Sequence, residues 1–238
     1  MILYDPKKQI WYNPNIEYIF NTEIIEYDIQ NAGINIIKTF NLLSLNQIQD
    51  LMKLDKLECH IQIGKLQRND KEFSKTLLEK FAEIREKFIS ANSLNEQNIL
   101  SVKKDAIYTI KSCDKLKFGK IEFVEKNIYS SYIRFPENSN IEIYYSSNKI
   151  DIKGIGEIGL NIHRLYLLMF LKKIISLIES KDNSIKRYFI NFIDKYKQLE
   201  LDEGYYIKFN NMSKDYDPVY NYQKLLIPLT QIILKEFK

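Results

Sequence analysis

Two short apolar runs, Ile99–Val102 and Ala106–Ile110, are separated only by Lys103-Lys104-Asp105, and this stretch constrains the chain more than any other. Both runs carry β-branched or aromatic residues, and the gap has tight-turn length. The stretch therefore predicts a β-hairpin with a carboxylate at or just after its turn. An aspartate there has an ordinary use, because its side chain bonds nearby backbone and forms turns. A second stretch adds to it. Glu23-Ile-Ile-Glu-Tyr-Asp-Ile29 alternates, placing Ile25, Tyr27 and Ile29 on one face and Ile24, Glu26 and Asp28 on the other. A helix is expected over 30–40, so Asp28 stands near its strand's end, either as a helix cap or as a partner for Asp105. Two carboxylates on adjacent strand ends can hold Mg²⁺, the requirement of nucleotidyl transfer.

Helices are expected between these aspartates. Residues 42–57 carry a broad apolar stripe, and 71–91 form the clearest amphipathic helix, with Phe73, Leu77, Phe81, Ile84 and Phe88 at helical spacing. Arg85 lies beside that stripe, where a long side chain either reaches a carboxylate or snorkels to water. Between them, 58–68 has no clear period and ends in Gly64-Lys65-Leu66-Gln67-Arg68. After the hairpin, short strands are expected at 120–124, 128–135, 141–145 and 149–153, then buried and amphipathic helices at 158–178 and 184–199, a strand at 205–209 and a last helix over 223–237. Residues 1–20 read as an arm held on the core by Trp11 and Tyr12. The whole is α+β: an antiparallel sheet with helices on one face and a helical C-terminal part.

The chain of 238 residues is 45% apolar with only seven Gly and five Pro, which supports a real core and leaves little for long linkers. A net charge of +4 permits nucleic-acid binding without arguing for it. Cys59 and Cys113 make no C-x-x-C pair and no zinc set with His60 and His163, and two cysteines build no disulfide framework. His163, inside an apolar stretch, reads as a packed residue. No leader-like segment opens the chain, and no apolar run reaches the ~20 residues of a membrane span, so a cytoplasmic protein without membrane contact is expected. No phosphate-binding glycine loop and no Ser-His-Asp set is present.

Glu26-Tyr27-Asp28-Ile29 before a helix resembles the first palm motif of DNA polymerases. The hairpin resembles the Asp-Thr-Asp-Ser-Ile palm hairpin of family B, with Lys103, Lys104 and Asp105 in place of the first three letters. The single hairpin aspartate is less closely similar to family A. Phe118-Gly-Lys-Ile-Glu122 and Lys149-Ile-Asp-Ile-Lys153-Gly-Ile155 resemble the strands that follow it in family B. The order of these motifs over residues 23–155 resembles that of viral or mobile-element polymerases, reduced and divergent. The Leu-Tyr-Pro after the first motif, the Asn-Ser-x-Tyr-Gly fingers motif and an exonuclease domain have no counterpart.

The resemblance implies a palm-like domain over 1–156 with a fingers-like helical insertion at about 42–91, and a thumb-like region over 157–238. It implies that Asp28 and Asp105 bind Mg²⁺ or Mn²⁺ for transfer of a nucleotide onto a primer 3′-hydroxyl in phage or mobile-element replication. Lys65, Arg68, Lys103, Lys104, Lys149 and Lys153 would meet triphosphate or primer-template phosphates. Lys65 and Arg68 also read as a solvated basic turn. The implied partners are nucleic acid, a nucleoside triphosphate and a protein supplying the missing fingers, in the host cytoplasm if the chain is viral. Lys103 in place of an aspartate leaves an alternative: a palm that no longer catalyses and serves as a nucleic-acid-binding or protein-interaction subunit. An unrelated α+β interaction protein is the third reading.

Overall fold

The computed structural model describes residues 9–135, 141–154, 157–202 and 229–237. The strand expected at 205–209, the first six residues (223–228) of the helix expected over 223–237 and the side chain of His163 lie outside these residues. The fold is α+β, and every strand pair of defined register is antiparallel. The chain forms two compact units, one of residues 1–16 and 23–128, the other of 17–22 and 129–238. The division does not fall at residue 156, because the strands after 129 share a core with the C-terminal helices rather than with the hairpin.

The first unit opens with β1 (Trp11–Tyr12), then β3 (Ile24–Ile29) after a segment, containing β2 (Tyr18–Ile19), that belongs to the other unit. Helices α1 (Ala32–Thr39), α2 (Leu45–Lys53), α3 (Lys56–Asn69) and α4 (Lys71–Ala91) follow. The hairpin is β4 (Ile99–Val102) and β5 (Ala106–Thr109), and β6 (Lys117–Phe118) and β7 (Ile121–Tyr129) complete a sheet of order β1-β4-β5-β3-β7-β6. Ile25, Tyr27 and Ile29 share one core with Phe73, Leu77, Phe81, Ile84 and Phe88 of α4, as the alternation and the helical spacing require. Trp11 joins that core, and β1 pairs with β4.

Local capping explains the helical region. The Ser44 hydroxyl accepts the Gln47 amide while Gln47 accepts the Ser44 amide, a capping box that starts α2. Asp55 accepts from the Glu58 amide at 2.8 Å, and Asp70 accepts from the Phe73 amide at 2.9 Å. Asp55 starts α3, and Asp70 ends α3 and starts α4, so the single helix expected over 42–57 breaks at Leu54, the C-cap of α2. The unclear stretch 58–68 is helical within α3.

In the second unit β8 (Ser131–Phe135), β9 (Ile141–Ser146) and β10 (Lys149–Lys153) form the sheet β10-β9-β8-β2. The strand expected over 128–135 is interrupted at Ser130, where the chain leaves one sheet for the other. Ile133, Phe135, Ile141, Ile143 and Tyr145 alternate inward against α5 (Glu157–Glu179), α6 (Ile185–Lys197) and a helix over 229–236. Phe170 and Phe192 stack across the two helices with centroids 4.2 Å apart. Ser130 and Ser131 both donate to the Glu179 carboxylate, tying the end of α5 to the sheet. Among the described residues no helix is long and apolar enough to cross a membrane.

Candidate functional site

The register of the central strands brings the two aspartates together. Asp28 of β3 faces Ala106 of β5, and the Ile29 amide donates to the Asp105 carbonyl at 2.9 Å. The Lys103 amide donates to the Ala106 carbonyl at 2.7 Å and closes the hairpin turn. Both carboxylates line a cavity of about 280 Å³, together with Lys56, His60 and Gln67 of α3, and with Lys104 and Lys126. Asp28 does not cap α1: its N-cap is Asn31, which makes no side-chain cap bond and takes a left-handed backbone conformation at φ 46°. A larger hollow of about 850 Å³ runs along α4 between Gln9 and the Lys71–Glu86 face, and it contains neither aspartate.

Lys126 dominates the electrostatics. Its ammonium bonds the Asp28 carboxylate and lies 3.8 Å from Glu26, which shares the strand face with Asp28. Glu26 is buried and accepts from the Tyr108 hydroxyl at 2.8 Å and from the Asn127 amide. Burial pushes the Asp28 carboxyl above its ordinary range; Lys126 pulls it down, while Asp105 and Glu26 push it further up. Burial lowers the Lys126 ammonium, but Asp28, Glu26 and Asp105 together outweigh it and hold the group above its usual value. Lys126 thus feels three carboxylates, and Asp28 remains raised.

The basic residues singled out in the sequence part company. Lys104 is half-buried in the cavity, 3.3 Å from the Gln67 side-chain oxygen and over the Phe81 ring at 4.9 Å. Burial lowers its ammonium, with partial opposition from Asp105. Lys103 turns to the Tyr12 ring, 4.0 Å from its centroid, and the ion pair at Asp28 comes from Lys126. Lys65 and Arg68 are exposed and off the cavity face; helical phase puts Lys56, His60, Ile63 and Gln67 there instead, and Arg68 bonds the Gly64 carbonyl. Lys149 and Lys153 stand on β10 in the second unit, where Lys149 pairs with Asp151 at 2.9 Å. Arg85 reaches no aspartate of the hairpin: its guanidinium donates to the Lys103 and Lys104 carbonyls.

Among the described residues no group of three or more His, Cys, Asp or Glu is placed to hold a metal ion. Two carboxylates nevertheless suit Mg²⁺, which keeps several waters and is usually held by one or two carboxylates plus substrate phosphates. Asp28 and Asp105 fit that donor set, provided the Lys126 ammonium yields. Lys126 and Lys56 of α3 escaped the sequence reading, which weighs His60 only as a zinc ligand. A solvent-facing lysine within a strand and a weakly patterned helix carry no local signal of what they face.

Residues 1–231 match the family model described as bacteriophage PBS1 gene 130 protein. No curated protein matches the chain.

Proposed function

The chain belongs to that phage protein family, and from this premise we propose that it is a DNA-polymerase-like palm protein of phage replication, acting in the host cytoplasm, whose cavity takes a nucleoside triphosphate with Mg²⁺ or Mn²⁺. The observation that carries this reading is the meeting of Asp28 and Asp105 on adjoining strand ends in a cavity rimmed by Lys56, His60, Lys104 and Lys126. Carboxylates interleaved with lysines in one cavity are a charge pattern that a metal-bound polyphosphate can match. When bound, the metal would supply charge neutralisation at the phosphates and a lowered pKa for an attacking hydroxyl. Asp28 and Asp105 would hold it, and Lys56, His60 and Lys104 would orient the phosphates. Since phosphoryl transfer depends mainly on positioning and charge, this division of roles is sufficient chemistry.

A second reading, a palm that no longer catalyses and serves as a nucleic-acid-binding or protein-interaction subunit, is favoured by the Lys126–Asp28 ion pair, which already supplies a cation. Primer extension with Mg²⁺ and with Mn²⁺, comparing wild type with Asp105→Asn, separates the two. Extension by wild type that Asp105→Asn abolishes supports catalysis. Lack of extension, combined with primer-template binding that weakens with salt, supports the subunit. There, Lys103→Ala with Lys104→Ala flattens the slope of log K against log salt by up to about two units, each phosphate contact contributing about 0.9 on duplex DNA.

A further inference from the structure

We propose that Arg85 is the positioning residue of this cavity: from behind the hairpin turn its guanidinium fixes the backbone of Lys103 and Lys104 and so holds the Asp105 carboxylate beside Asp28. The metal-binding half of this inference rests on the function proposed above.

Arg85 stands on α4 one helical turn after Phe81 and three residues before Phe88, on the stripe where an apolar side chain is expected, and it is 0% exposed. A guanidinium is costly there unless its N–H groups are bonded. One of its terminal nitrogens donates to the Lys104 carbonyl at 2.6 Å and to the Lys103 carbonyl at 3.2 Å. These are the two residues that precede Asp105. Hairpin-turn carbonyls commonly face water, where the turn is free to shift; here two successive carbonyls are gripped from the core. The Ile29 amide holds the next carbonyl, that of Asp105, at 2.9 Å. Phe81 underlies the Lys104 ammonium, so adjacent turns of α4 hold both backbone and side chain of the turn. Because one terminal nitrogen makes both bonds, a lysine ammonium can take over part of the grip. Groups that orient a metal ligand from outside usually contribute 10–100-fold to metal affinity.

The test uses the full chain and the variants Arg85→Met and Arg85→Lys, with two readouts: Mn²⁺ binding followed by the free-ion electron paramagnetic signal, and amide hydrogen exchange at Ile29 against Phe123, whose amide bonds the Leu116 carbonyl away from the turn. Arg85→Met is expected to weaken Mn²⁺ binding by about tenfold or more and to speed exchange at Ile29 well beyond that at Phe123, with Arg85→Lys recovering part of both. Equal acceleration at the two amides, with Mn²⁺ binding tracking only the folded fraction, overturns the proposal. If wild type binds no Mn²⁺, the metal reading falls, and exchange alone decides Arg85: selective at Ile29 supports it, uniform overturns it. If Arg85→Met does not fold, Arg85→Lys is judged by the same criteria.

Discussion

Asp28 and Asp151 each stand on a strand, each is partly buried, and each pairs with one lysine, yet they are held on opposite sides of the ordinary carboxylate range. At Asp151 burial pushes the carboxyl up, but the Tyr129 hydroxyl, Lys149 and Lys153 more than compensate and hold it low. At Asp28 burial also pushes up, the Asp105 and Glu26 charges add to it, and Lys126 does not make up the difference. The second unit goes further at Glu142, which is 0% exposed and accepts from the Tyr132 and Tyr144 hydroxyls at 3.1 and 2.9 Å. Asp151 and Glu142 are thus both satisfied, as members of a structural network must be. At the β3–β5 end Glu26 is likewise paired, with Tyr108 and Asn127, while burial holds Asp28 high beside a cavity.

The contrast breaks most visibly at Glu142. Its replacement by Ala should cost about 3 kcal/mol in urea unfolding, because two buried hydroxyls lose their acceptor. Asp28→Asn should stay within about 0.5 kcal/mol of wild type or stabilise, since it relieves repulsion. If Asp28→Asn proves as damaging as Glu142→Ala, the two networks are alike and the cavity is structural. A smaller effect compares the lysines. Lys126→Met and Lys149→Met should each cost about 1 kcal/mol, as partly exposed pairs do, but millimolar Mn²⁺ should restore the melting temperature only of the first.

The smallest effect is in the acid limb. Asp28, raised on folding, contributes stability that is present below its unfolded pKa and is lost as pH rises through its folded pKa. Asp151, lowered on folding, contributes stability that is present above its unfolded pKa and is lost as pH falls through its folded pKa. Stability measured from pH 2.5 to 7 should therefore lose steepness in Asp151→Asn and gain it in Asp28→Asn. Identical acid limbs for the two variants would erase the distinction.

The approach of Asp28 to Asp105 was legible because strand alternation and a short hairpin are local patterns, and their order leaves adjacent strands as the simple outcome. Lys126 was illegible for the opposite reason. Glu125-Lys126-Asn127 looks like any solvated strand segment, and its meaning depends on β7 lying next to β3 rather than beside the hairpin. Lys65 and Arg68 stand out in the sequence while Lys56 and His60 do not, because α3 lacks a clean apolar period, and without its phase the cavity-facing side chains have no signature. Arg85 was conspicuous as a charge next to an apolar stripe, but pairing with backbone carbonyls leaves no trace in the residue types.

The short segment 17–22 has a consequence for how the chain must be made. It lies between stretches of the first unit, yet its strand β2 pairs with β8, Tyr18 opposite Ile133 and Ile19 opposite Tyr132. During synthesis this strand leaves the ribosome long before its partner exists, while everything needed around β3 to β7 is being completed on its far side. The early strand must wait as an unpaired edge, and pairing so distant in sequence is slow. No single cut separates the two units. A chain stopped at 128 would carry 17–22 without the strand they pair with, and a chain begun at 129 would leave β8 without its outer neighbour.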